Sequence, residues 1–97
     1  MVWKWLGDEI NQMGSEGGRI LRDEEYDGQC RITLERCKTY DAITCGVYGD
    51  MMHTAYASSK ESALIYEKMK KDLQQFIDAN VEGKKRSEFY KSFVNRY

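Results

Sequence analysis

The chain has no proline, one histidine and three cysteines among its 97 residues, and each scarcity removes a class of explanation. Without proline, its turns have to be read from glycine and aspartate. His53, Cys30, Cys37 and Cys45 include no CxxC pair, so the closely spaced ligands of a dedicated zinc site are missing and no metal is expected. No GxxxxGK[ST], GxGxxG or HExxH occurs, so no nucleotide or other cofactor is expected either. The longest apolar stretches are only a few residues, too short to cross a bilayer. The start, Met1-Val2-Trp3-Lys4-Trp5, lacks the basic and apolar regions of a secretory signal. An odd number of cysteines without such a signal favours free thiols in a reducing, cytoplasmic compartment. Charge of one sign is also lacking. Fifteen basic against sixteen acidic residues leave a net charge of −1, which argues against a dedicated nucleic-acid or membrane-surface binder.

What is present describes a globular α+β chain. Apolar residues make up 41% and charged residues 32%, a balance that supports one core, and the length suits a single domain over 1–97. Trp3, Leu6, Ile10 and Met13 recur at three- and four-residue steps and predict a short N-terminal helix, capped at Gly14 and followed by a flexible joint to residue 18. From Arg19 to Ala57 the period becomes two. Turn signals at Asp27-Gly28, Tyr40-Asp41 and Gly49-Asp50 divide this stretch into strands near 19–26, 29–38, 42–48 and 51–57. Connections this short join antiparallel neighbours, which predicts a four-stranded antiparallel meander over 19–57. Ser58 or Ser59 would cap a long amphipathic helix over 58–82, with Ala63, Tyr66, Met69, Leu73, Phe76 and Ile77 on its apolar stripe. Gly83 breaks that pattern, and a further helix over 84–97 carries Phe89, Tyr90, Phe93, Val94 and Tyr97 on one side.

Strand register decides which residues share a face. Placing Leu34 opposite Val47 and Arg36 opposite Cys45 gathers Ile32, Leu34, Ile43, Cys45 and Val47 beneath the long helix. A two-residue turn at Gly49-Asp50 then pairs Val47 with Met52 and adds Met52 and Tyr56 to that face. The second face would hold Tyr26, Arg31, Thr33, Glu35, Cys37, Thr44, Gly46, Tyr48, Met51, His53, Ala55 and Ala57.

That second face is too rich in aromatic and small residues to be freely solvated. Either a terminal helix folds over it or a second copy packs there. The leading expectation is a small non-catalytic intracellular protein acting through self-association, as a homodimer, or through another protein partner. Tyr48, Met51 and His53 on the sheet, with Phe89, Phe93 and Tyr97 on the last helix, are the expected contact residues. An alternative uses the basic and aromatic side chains Lys84, Lys85, Arg86, Tyr90, Lys91 and Arg96 to bind nucleic acid. A third sets His53 and Glu35 on either side of Gly46 as a proton-active pair or small-ligand anchor.

Overall fold

A computed structural model describes residues 2–97 as one five-stranded antiparallel sheet in the order β1-β2-β3-β4-β5, with two helices on one face. The strands are β1 (Trp3–Trp5), β2 (Arg19–Tyr26), β3 (Cys30–Arg36), β4 (Asp41–Val47) and β5 (Met51–Ala57). The helices are α1 (Ser62–Ala79) and α2 (Lys84–Arg96). The α+β class and the antiparallel meander agree with the sequence pattern. The strand count does not.

The N-terminal helix is absent from the described residues. Trp3–Trp5 instead forms an edge strand on β2, with Trp3 opposite Tyr26 and Trp5 opposite Glu24. Trp3 lies 5.2 Å from the Tyr26 ring, and its indole N–H donates to Gln74 Oε1 of α1 at 3.0 Å. That tilted cross-strand aromatic contact favours the strand over a short helix, which would be marginal by itself.

The first hairpin turns at its sequence signal, but Tyr26 pairs with Cys30 and residues 27–29 form the loop, so Tyr26 lies in the core beneath α1 and not on the second face where the sequence reading put it. Asp27 and Gly28 have φ of 53° and 64°, the two positive values a type I′ turn requires. The second hairpin has its centre earlier than the Tyr40-Asp41 signal suggests. Leu34 faces Ile43 instead of Val47, and Arg36 faces Asp41 instead of Cys45, across a loop of residues 37–40. The displacement is even, so Ile32, Leu34, Ile43, Cys45 and Val47 still share the helix-bearing face, and all five are buried.

The third hairpin overturns the expected parity of β5. Val47 pairs with Met51, leaving residues 48–50 as the loop. Of the Gly49-Asp50 pair only Gly49 adopts positive φ, at 79°, and Asp50 N–H donates to the Val47 carbonyl at 2.9 Å. A type I′ turn would need positive φ at both residues. The loop is therefore odd in length, and every β5 side chain changes sides. Met51, His53, Ala55 and Ala57 face the helices, whereas Met52, Thr54 and Tyr56 face away.

Ser62, Tyr66, Met69, Leu73, Phe76 and Ile77 form the buried stripe of α1. Its N-cap is Glu61, with no side-chain cap from Ser58 or Ser59. Ser62 replaces the expected Ala63 on the stripe because its hydroxyl donates to the buried Asp41 carboxylate at 2.6 Å. Gly83, at φ 61°, turns the chain into α2, which lies beside α1 on the same face. Phe89 stacks on Phe76 with ring centroids 4.1 Å apart, and Phe93 meets His53 edge-on at 6.3 Å. No described helix is long and apolar enough to cross a membrane.

Candidate functional site

The helix-bearing face of the sheet is occupied by the protein's own core. Phe93 is 1% exposed, and Phe89, Tyr97 and Met51 are partly buried against the same cluster. His53 lies under α2, next to Cys45 in the cross-strand row, and its Nε2 is buried without a hydrogen-bond partner. Of the six expected contact residues, only Tyr48 stands exposed, at 49%. Phe93 in particular has no surface to offer a partner while α2 is docked.

The proposed pair of Glu35 and His53 is not formed. Gly46 stands between Arg31 and Met52, while Glu35 stands between Ile20 and Ala42 and projects from the opposite face to His53. Glu35 is 1% exposed and has a structural partner. Its carboxylate accepts backbone N–H bonds from Gly18 at 2.8 Å and from Glu16 at 3.2 Å. Residues 14–18 thereby form a strap across one end of the outer face, where Tyr56 donates its hydroxyl to Glu16 Oε1 at 2.7 Å. The expected flexible joint is a tethered cover.

The thiols are not set up as nucleophiles. Burial pushes Cys30 and Cys45 up to about 12. Cys37 is raised as well, first by burial and then by the nearby Glu35 charge. A thiol in that condition is not a ready nucleophile. The basic set on α2 is partly spoken for by acids. Arg86 Nε donates to Asp50 at 2.6 Å, Tyr90 donates to the same oxygen at 2.8 Å, and Arg96 donates to Asp72 at 2.7 Å. Lys84, Lys85 and Lys91 are exposed.

The rest of the outer face is open and ordered by polar pairs. Asp23 is fully buried, with Arg31 donating to both its oxygens, Nε at 2.8 Å and Nη2 at 2.6 Å, and Thr33 at 3.0 Å. A buried carboxylate is tolerable only when satisfied in this way. Tyr48 donates to Glu25 at 2.5 Å, and the Thr44 and Thr54 hydroxyls bond to each other at 3.1 Å. Between the strap and the β4–β5 turn lies a groove of about 610 Å³, with Ser15, Arg31, Thr33, Thr44, Gly46, Tyr48 and Met52 along it. Gly46 is required in its floor, because a Cβ there would lie 2.9 Å from the Met51 carbonyl oxygen.

Beyond the groove the sheet ends at β5. This strand, MMHTAYA, has seven residues, no charged side chain and no proline. Met52 and Tyr56 project from its outer face at 80% and 60% exposure. Edge strands present unpaired backbone donors and acceptors, and most are guarded by lysine, proline or a bulge. The opposite edge, β1, is only three residues long. Reading the sequence with an even-length turn placed Met52 and Tyr56 in the core and so hid this apolar edge. The sign that could have exposed it was the lack of charge throughout 51–59 in a chain that is 32% charged. Comparison with protein-family models, with curated proteins and with solved structures found no match.

Proposed function

We propose that this is a small non-catalytic protein that works by self-association, adding strand to strand at the free edge of β5. The observation that carries the reading is an unguarded edge strand bordered by two exposed apolar side chains. Backbone pairing would satisfy the edge, and burial of Met52 and Tyr56 would supply the apolar gain. No like charges oppose each other when two such strands meet, because β5 has none. The three free cysteines suit a reducing, cytoplasmic location.

Light scattering coupled to size exclusion, over a range of concentrations, tests this directly. The full chain is expected to dimerise. A Met52→Lys/Tyr56→Lys double variant should be monomeric with an unchanged circular dichroism spectrum, since both side chains are exposed in the monomer. A wild-type chain that stays monomeric throughout the range overturns the proposal. Salt-sensitive binding to short RNA by a monomer, weakened by Lys84→Gln/Lys85→Gln, would replace it with the basic-helix reading.

A further inference from the structure

We infer that the partner at the β5 edge is a second copy in antiparallel register about Thr54, so that Met52 of each copy lies against Tyr56 of the other. This rests on the self-association reading and specifies its geometry. Two identical antiparallel strands related by a two-fold axis normal to the sheet pair residues whose numbers share a constant sum. That sum must be even for helix-bearing and open faces to stay continuous across the junction.

An axis at Thr54 pairs all of Met51–Ala57 with its counterpart, because Thr54 is the middle residue of β5. An axis at His53 or Ala55 leaves residues at one end of the strand unpaired in each copy. The axis at His53 also places two imidazoles side by side, which would repel once protonated.

Side-chain size favours the same register. Toward the helices, Met51 meets Ala57 and His53 meets Ala55, so a large residue faces a small one in every pair. On the open face, the two most exposed side chains of β5 meet each other. Tyr56 is suited to that role because its hydroxyl is tied to Glu16 and its ring stands edge-on to Tyr40 at 5.5 Å, which limits the rotamer freedom lost on association. A methionine thioether against an aromatic ring is a favourable contact. At the axis, the Thr44–Thr54 hydroxyl pair of one copy adjoins its symmetry mate and continues the hydroxyl row across the junction.

This register also completes the groove. The cross-strand row Glu25, Arg31, Gly46, Met52 ends at the open edge of the monomer. In the dimer the same row continues to the partner's Tyr56, which supplies a wall beyond Met52 that one chain lacks.

Disulfide trapping in the full chain tests the register. Cys37 is first replaced by serine, and Cys30 and Cys45 stay because they are buried. Single cysteines are then placed at positions 52, 54 and 56, and mild oxidation is followed on non-reducing gels. Directly opposed residues lie within disulfide reach. Thr54→Cys is expected to link to itself with near-complete loss of the monomer band. Met52→Cys and Tyr56→Cys should each link poorly alone but efficiently when mixed. Efficient self-linking of Met52→Cys or Tyr56→Cys, with none at 54, overturns the register while leaving the edge in use. A dimer by light scattering that links at none of these positions overturns both the register and the β5 reading.

Discussion

Replacing Phe93 by alanine separates a core role from a partner-contact role for α2. Truncating a fully buried phenylalanine costs about 3–5 kcal/mol. Phe93 is 1% exposed and touches the rings of His53, Phe89 and Tyr97, so the upper half of that range would apply if the helix stayed in place. Its other tethers are weaker. The Arg86–Asp50 and Arg96–Asp72 pairs are exposed and screened by solvent, so they hold the helix weakly. The Phe76–Phe89 stack adds about 0.5–1.5 kcal/mol beyond its burial. A 13-residue helix is marginal alone. The variant should therefore release α2 locally, and the measured destabilisation should stop at the docking free energy of that helix. Urea unfolding is expected to show a loss of about 2–4 kcal/mol, with hydrogen exchange accelerating across 84–97 before the sheet amides. Unchanged stability and exchange, together with loss of the dimer, would refute the core assignment and restore Phe93 as a contact residue.

The remaining expectations are local. Glu35→Gln keeps one carbonyl acceptor but turns the other oxygen into an amide donor beside the Glu16 and Gly18 N–H groups, and it removes the charge they stabilise; it should cost about 1–3 kcal/mol and speed exchange at Gly18. Unaltered exchange at Gly18 would show that the carboxylate does not hold the strap. Acid should destabilise the fold through two carboxyls. Arg36 holds Asp41 below its ordinary 3.8 against the opposing effect of burial, with Ser62 adding to it; burial pushes Glu24 up, but Lys70 and Tyr66 together outweigh it and hold the carboxyl below 4.5. Because both are lowered on folding, their contribution is complete above pH 4.5 and is lost as the pH falls through the lowered values. Unfolding free energy should drop along that limb in the wild type, and less steeply in Arg36→Gln; parallel slopes would remove Asp41 from the account. With a thiol reagent in mildly alkaline buffer, Cys37 should react in the folded state and Cys30 and Cys45 only after unfolding, whereas fast reaction at all three would contradict their burial.

Local chemistry determined which parts of this fold were legible. Asp27-Gly28 marked the place of its hairpin because both residues tolerate the φ that the turn imposes, but not its length, and the third loop residue, Gln29, turned Tyr26 inward. The α1 stripe was readable from Tyr66 to Ile77 because burial there is decided by helical spacing alone. Trp3, Leu6 and Ile10 misled, since their spacing fits a helix, yet Trp3-Lys4-Trp5 also alternates at period two. Only the distant Tyr26 and Gln74 decide between them. At β3–β4 the register error preserved parity and did little harm. At β4–β5 it did not, because whether a Gly-Asp pair supplies both central residues or one depends on the φ of Asp50, which composition leaves open. That single dihedral choice moved His53 into the core and Tyr56 out of it.

The distribution of charge gives the corrected faces a physical logic. Beneath α1, Glu24 is held by Tyr66 at 2.8 Å and Lys70 at 2.9 Å, and on the open face Asp23 is held by Arg31 and Thr33. Both carboxylates sit on β2, which is flanked in the sheet by β1 and β3, and Glu24 lies beneath α1. The chain thus places buried charge where both strand edges are already paired, and registry there is fixed by ion pairs that cannot slip without leaving a charge unsatisfied. Toward β5 the pattern reverses, to neutral hydroxyls at Thr44 and Thr54 and then to Met52 and Tyr56. A sheet that spent its charge evenly would guard both ends. This one leaves its long edge neutral and its short edge three residues wide, so the strand addition proposed above would have one productive side and little chance of propagating into a fibre.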